Sequence, residues 1–190
     1  MRLKTVLLNA LRRVDRLSPH PRFYPFAMSR PEVAMFDAAV KEARTYLEFG
    51  SGGSTLRALQ QSKAAIYTVD SSPKWIDHLR RYVVVRRLEN VRLHLCPIDI
   101  GPIGDWGFPT SDLHADRFEA YSDAVFRRIE GRAVDLALVD GRFRVACALR
   151  TIQACRKNRG FRMLIHDFWD RPQYYAVLAH LDPEIGRAHV

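Results

Sequence analysis

The sequence predicts an α/β protein: a three-layer α/β/α arrangement in which a mostly parallel sheet is covered by helices on both faces. Three observations predict it. From residue 45 onward, apolar strand-like runs alternate with helix-like stretches, the order that builds a parallel sheet. The strand runs are short and almost continuously apolar, as strands buried on both faces must be. An acidic residue stands at or near the carboxyl end of every strand run, where sheets of this kind hold their ligands.

The opening stretch, 1–17, sets Val6, Leu7, Ala10, Leu11 and Val14 at helical spacing. It starts like a secretory leader, but Asn9 interrupts the apolar run, Arg12 and Arg13 follow, and no small-residue cleavage site appears. It is expected to be an amphipathic helix packed on the domain, with membrane-surface binding as the alternative. A Pro-containing connection covers 18–25. Ser29 then caps a helix running to about residue 44, with Pro31 and Glu32 in its first turn, where a missing N–H and a negative charge are both tolerated. Strands are expected at 46–49, 65–69, 91–96, 134–139 and 162–165. Helices are expected at 54–61, 73–82, 115–129, 143–157 and 172–181. An irregular segment, 97–114, carries three Gly and three Pro.

A chain of 190 residues is one domain with a substantial core. Hydrophobic residues at 47% and charged residues at 27% fit a soluble globular protein. They argue against a mainly disordered chain, a collagen-like repeat or a coiled coil. No apolar run approaches the roughly 20 residues of a membrane span. The net charge of +9 draws attention to acidic partners such as nucleic acid. Only Lys4, Lys41, Lys63, Lys74 and Lys157 are lysines, however; every other basic residue is Arg. A GC-rich coding sequence produces the same skew, and no basic block appears. Cys96, Cys147 and Cys155 form neither a metal spacing nor a disulfide framework. A reducing cytoplasm is therefore the expected compartment.

The motifs stand at the strand ends. Glu48-Phe49-Gly50-Ser51-Gly52-Gly53-Ser54 joins the first strand to its helix, and Asp70 ends the second strand. Glycine there allows a tight turn and close approach to backbone. A carboxylate about 20 residues further on suits ribose hydroxyls. A dinucleotide fingerprint would need Gly at position 55, which is Thr55. Asp99 follows the third strand, Asp140-Gly141-Arg142 the fourth and His166-Asp167-Phe168 the fifth.

This set resembles the class I S-adenosylmethionine-dependent methyltransferases over roughly residues 46–181. The resemblance implies a Rossmann-like sheet and S-adenosylmethionine as cofactor. It implies that Gly50, Ser51, Gly52 and Ser54 lie under the methionine part, and that Glu48 holds the loop or the methionine amine. Asp70 would hold the ribose and Asp99 would lie near the adenine. A carboxylate-lined crevice suits a cationic sulfonium. Methyl transfer is an in-line displacement in which positioning supplies much of the rate. Asp140, His166 and Asp167 are the candidate acid–base groups; the bland alternatives are a strand-closing histidine and a turn-capping aspartate. Catechol-type relatives hold magnesium with an acid after the fourth strand and an Asp-Asn pair after the fifth. Asp140 and Asp167 match two of those positions, but Phe168 stands where the Asn would and cannot ligate.

The substrate expected is a small molecule or glycan, methylated on oxygen. Arg142, Arg144 and Arg171 flank the same edge and suit an anionic group, although Arg144 reads better as a solvated helix residue. Trp106, Phe108, Trp169, Tyr174 and Tyr175 are candidate pocket walls, the first two in a lid-like loop. The alternatives are a nucleic-acid methyltransferase and a non-catalytic cofactor-fold binding protein. Amine-methylating enzymes of the first kind usually carry an Asn/Asp-Pro-Pro-aromatic motif, where this chain has Asp140-Gly141-Arg142-Phe143. The family sheet normally adds two more strands after 172–181, so a truncated fold is expected, with its fifth strand at an edge. Residues 184–190 read as the in-frame translation of a common sequencing adapter. The expected organisation is therefore a helical extension at 1–44, a cofactor domain at 45–183 and an artefactual tail.

Overall fold

Five parallel strands make one sheet in the computed structural model, which describes residues 2–181, with side chains from residue 7. The strands are β1 (Thr45–Phe49), β2 (Ala65–Asp70), β3 (Leu93–Pro97), β4 (Leu136–Val139) and β5 (Arg162–Ile165). Their order is β3-β2-β1-β4-β5. Helices α1 (Arg2–Asp15) and α2 (Arg30–Glu42) precede the sheet. The others are α3 (Gly53–Gln61), α4 (Pro73–Arg80), α5 (Val83–Leu88), α6 (Phe118–Ile129) and α7 (Arg144–Cys155). The architecture is the predicted α/β/α Rossmann-like fold. Among the described residues, β5 has no neighbour on its outer side. Residues 184–190 lie outside the described residues.

Two apolar layers sandwich the sheet, and strand alternation builds both. Tyr46, Ile66, Leu93, Leu136 and Leu138 face one side, where Phe36 and Val40 of α2, Leu56 of α3, and Ile76 and Leu79 of α4 cover them. Leu47, Phe49, Tyr67, Val69 and Val139 face the other, under Tyr121 and Val125 of α6 and Cys147 of α7. Side chains on opposite faces follow from the two-residue period of a strand. The three cysteines are free and buried, and all belong to the second layer.

The second helix starts as its sequence predicts. Ser29 Oγ accepts from the Glu32 amide, and Glu32 Oε2 accepts from the Ser29 amide at 2.7 Å, a complete capping box. Elsewhere the structure departs from the expected elements. Residues 83–88, which lie between the expected helix at 73–82 and the expected strand at 91–96, form α5 despite the β-branched run Val83-Val84-Val85. Val84 and Val85 are buried, and Arg86 donates to the Arg80 and Arg81 carbonyls; tertiary packing overrides propensity there. The expected helix at 115–129 is a 3-10 turn (Asp112–Arg117) followed by α6. The last element, Pro172–His180, winds as a 3-10 helix with only Val177 fully buried.

The first helix lies the unexpected way round. Its apolar residues Leu7, Leu11 and Val14 are exposed. The opposite edge meets the domain: Asn9, Arg12 and Arg16 line a cleft with His78, Arg81 and Tyr82. The Arg16 carbonyl accepts from the Val83 amide, and the Arg16 guanidinium sits 5.8 Å from the Tyr82 ring centre. Those contacts fix the polar edge inward.

Candidate active site at the carboxyl edge of the sheet

Strands β1 and β4 are neighbours whose connections leave in opposite directions. This is the switch point, where an open α/β sheet leaves a crevice at its carboxyl ends. Two loops meet there backbone to backbone. Gly50 adopts φ +95°, and a Cβ on it would stand 2.7 Å from the Gly141 nitrogen. A Cβ on Gly141 would stand 2.7 Å from the Gly50 nitrogen. The sequence assigns Gly50 to ligand approach; the close approach it absorbs here is that of the β4 loop.

The glycine loop is held from below and from the side. Glu48 is completely buried. It accepts from the Tyr46 hydroxyl at 2.9 Å and from the Thr55 hydroxyl. Thr55 Oγ1 in turn accepts from the Gly52 amide at 2.9 Å. Glu48 thus holds the loop through Thr55, a residue that sequence reasoning used only to exclude a dinucleotide motif. Burial pushes the Glu48 carboxyl up to about 7, against the hydrogen bonds that favour its charge. Ser54 is buried beside it.

Asp70 clamps the loop from β2. Its Oδ2 accepts from the Ser51 amide at 3.0 Å and the Ser51 hydroxyl at 2.8 Å. Its Oδ1 accepts from the Ser72 amide at 2.8 Å. Burial raises its pKa. The Ser71 amide also acts on this carboxylate, so backbone and hydroxyl donors of Ser51, Ser71 and Ser72 surround it. Trp75 covers the loop, with its indole N–H donated to the Ser51 carbonyl. Asp99 stands apart from this set. It is exposed, accepts from the Gly101 amide at 2.9 Å, and pairs with Arg117 at 2.6 Å.

The second half of the site is built on β4 and β5. His166 Nδ1 lies 3.1 Å from Asp140 Oδ1 and 3.4 Å from Asp167 Oδ1. Its Nε2 faces Glu32 Oε1 of α2 at 3.6 Å. The hydrogen bond to Asp140 raises the His166 pKa, and burial opposes it. Asp167 and Phe143, after β5 and β4, both adopt left-handed backbone, φ 54° and 51°. Such conformations in non-glycine residues gather at functional sites.

Arg144 organises this half. The sequence reads it as a solvated helix residue; its side chain is 8% exposed. Nε donates to the Gly141 carbonyl at 3.1 Å, Nη1 to the His166 carbonyl at 2.6 Å and Nη2 to the Asp140 carbonyl at 3.2 Å. It pairs with the Asp140 carboxylate at 3.0 Å and lies 3.7 Å from that of Asp167. The only sequence signal is its place four residues after Asp140. Glu32 was likewise read only as a helix-start residue. Arg142 does flank the crevice: its guanidinium lies 3.9 Å from the Phe108 ring centre, joining the β4 loop to the 97–114 segment. Trp106 is almost fully exposed, and Phe168, Trp169 and Tyr175 pack on one another beside β5.

The donor sets distinguish the two implied groups. For S-adenosylmethionine the residues fit: a tight loop with serine, a carboxylate at the end of β2 beside that loop, and an acidic second wall for the sulfonium. For magnesium they do not. Asp140 and Asp167 face Arg144 and His166, and Phe168 offers no ligand. Among the described residues no three His, Cys, Asp or Glu side chains form a metal-binding group.

No protein-family model matches the chain. No curated protein matches it either. Among solved structures, a methyltransferase-like protein from Silicibacter pomeroyi superposes with a TM-score of 0.73 at 32% identity, covering 86% of this chain and 85% of the other. The Rossmann-like sheet and this likeness define a protein of methyltransferase-like type. The chain belongs to the family of that methyltransferase-like protein.

Proposed function

We propose that the chain is a class I S-adenosylmethionine-dependent methyltransferase that transfers a methyl group to oxygen on a small molecule or glycan. The observation that carries the reading is the Asp140–His166 pair beside the glycine loop, with Asp70 across it. The family relationship supports the transferase class. When bound, the cofactor supplies an electrophilic methyl on a positively charged sulfur.

The protein's own groups supply position and base. Gly50, Ser51, Gly52 and Ser54 shape the floor under the cofactor, and Asp70, at the end of β2, accepts a ribose hydroxyl. Asp99, beyond β3, is the proposed neighbour of the adenine. Asp140 holds the Nδ1–H of His166, leaving Nε2 as the acceptor for the substrate hydroxyl proton. With a methyl donor bound, that oxygen would be ready to accept the methyl group, and its proton would stay on Nε2. Glu32, 3.6 Å from that nitrogen, stabilises the imidazolium. Asp167 and Arg144 fix the base in place. Asp140 pairs with Arg144 at 3.0 Å, and Asp167 lies 3.7 Å from Arg144 and 3.5 Å from Arg171, an arrangement that supports a mechanism in which no metal activates the substrate.

The test is transfer from methyl-labelled S-adenosylmethionine to a panel of phenols, carboxylates and sugars. His166→Ala is expected to lower kcat by about 100-fold or more while leaving cofactor affinity within about twofold. Cofactor binding without transfer to any acceptor, and no difference between the two proteins, would support a binding protein instead.

A further inference from the structure

A basic cleft lies where α1 crosses the corner between α4 and α5. Its volume is about 330 Å³, at the small end of the range for ligand pockets. Arg12, Arg13 and Arg16 enter it from the first helix and the turn after it, and Arg81 and His78 from the opposite wall. No acidic residue lines it. Among the described residues, none of the four guanidiniums pairs with a carboxylate. The acids nearest in sequence are engaged elsewhere. Asp15 accepts the Arg22 and Phe23 amides at 2.8 and 2.7 Å, and Asp77 lies 3.5 Å from Arg80.

Two groups carry the strain of this arrangement. Arg12 Nε and Arg16 Nε are buried with no acceptor, and a buried charged donor left unpaired is costly. Burial and the Arg16 and Arg81 charges lower the His78 pKa. The last turns of α1 and α4 both end here. Each helix end supplies about half a negative charge, which leaves roughly three positive charges unmet. A phosphoryl group carries roughly −1.5 to −2 near neutral pH, so one falls short of the cleft's charge and two joined groups meet it. We propose that this cleft binds a small molecule bearing a diphosphate group, at a site separate from the crevice at the carboxyl edge of the sheet. Guanidiniums are suited to it, since each can fork to two phosphoryl oxygens.

The walls hold these groups in place. The Arg16 guanidinium sits over Tyr82, and the Arg16 carbonyl accepts from the Val83 amide at 2.8 Å. His78 stacks on Trp75 with ring centres 4.9 Å apart. Trp75 in turn donates to the Ser51 carbonyl, and Pro25, which lines the cleft, packs its carbonyl against Gly53. Cleft and glycine loop thus stand back to back and share no lining residue. The cleft holds its anion whichever cofactor the crevice takes. A nucleic-acid backbone fits it less well, because its single charges are spread along a chain while these guanidiniums converge on one enclosed space.

The test is calorimetric titration of the full chain with pyrophosphate, orthophosphate and a single-stranded oligonucleotide at one ionic strength. Pyrophosphate is expected to bind about tenfold or more tightly than orthophosphate. The double variant Arg13→Gln, Arg81→Gln is expected to weaken pyrophosphate binding by about tenfold or more. It should keep the wild-type Tm, because both positions are exposed. Arg156→Gln with Arg159→Gln removes the same charge after α7, on the other face of the sheet, and should stay within about twofold of wild type. In the unmodified sequence, pyrophosphate should protect Arg13 and Arg81 from phenylglyoxal, read by mass spectrometry, an outcome independent of any variant's folding. Absence of pyrophosphate binding, an equal loss in the distant pair, orthophosphate binding as tightly, or no protection would overturn the proposal. So would an oligonucleotide that binds more tightly than pyrophosphate and is lost in the same double variant, which would make the cleft a nucleic-acid surface.

Discussion

Replacing Glu48 with Gln should stabilise the protein at alkaline pH, although it removes a charged residue from the site. Glu48 is 0% exposed and accepts from Tyr46 and Thr55. Gln keeps its shape, and a small reorientation of the Tyr46 hydroxyl satisfies the new amide. Burial moves the carboxyl from its ordinary 4.5 to about 7. The folded chain therefore binds this proton more tightly than the unfolded chain does. Wild-type stability from this group is fully present below pH 4.5, is lost as pH rises toward about 7, and levels off above that. At 1.36 kcal/mol per pH unit the loss comes to about 3 kcal/mol. Urea unfolding at pH 4.5 and pH 8.5 measures it. The two proteins should be about equally stable at the acid end, and Glu48→Gln more stable by about 3 kcal/mol at the alkaline end. A difference independent of pH, or a variant less stable at pH 8.5, would refute the claim that Glu48 is held against ionisation.

Other outcomes follow from the same contacts. Arg144→Met should cost about 3 kcal/mol in denaturant unfolding, because it orphans three carbonyls and a carboxylate partner. Arg144→Lys should recover only part of that, since an ammonium cannot fork to all three. Gly141→Ala should cost about 2–3 kcal/mol, because its Cβ would press on the β1 loop backbone. The rate-active form of His166 is neutral and its pKa is raised, so kcat/KM should rise with pH through a value above the ordinary 6.5. In Asp140→Asn that limb should move down in pH while the maximal rate falls. An unmoved limb would remove His166 from the role of base.

The parts of the fold that depend on local pattern were legible. Buried strands announce themselves as short apolar runs, and Ser29-x-x-Glu32 is a capping box before its helix forms. Parallel β-strands bring their carboxyl ends to one edge, which is why Glu48, Asp70, Asp140 and His166 could be grouped from sequence. What was hidden depends on distant backbone. Arg144 is buried because carbonyls of Asp140, Gly141 and His166 converge on it, and only the β4–β5 pairing brings His166 there. Glu32 reaches His166 because α2 packs across the sheet. The orientation of α1 was hidden because the contacts that dock its polar edge, Arg16 with Val83 and Tyr82, come from residues far along the chain.

The central claim is that the glycine loop and Asp70 bind S-adenosylmethionine, and calorimetric titration tests it most directly. The account predicts binding of S-adenosylmethionine, no binding of NAD, and affinity lowered about tenfold by Asp70→Asn, the loss of one charge-assisted hydrogen bond. A chain that binds NAD and not S-adenosylmethionine, or that binds S-adenosylmethionine with the same affinity after Asp70→Asn, would contradict it.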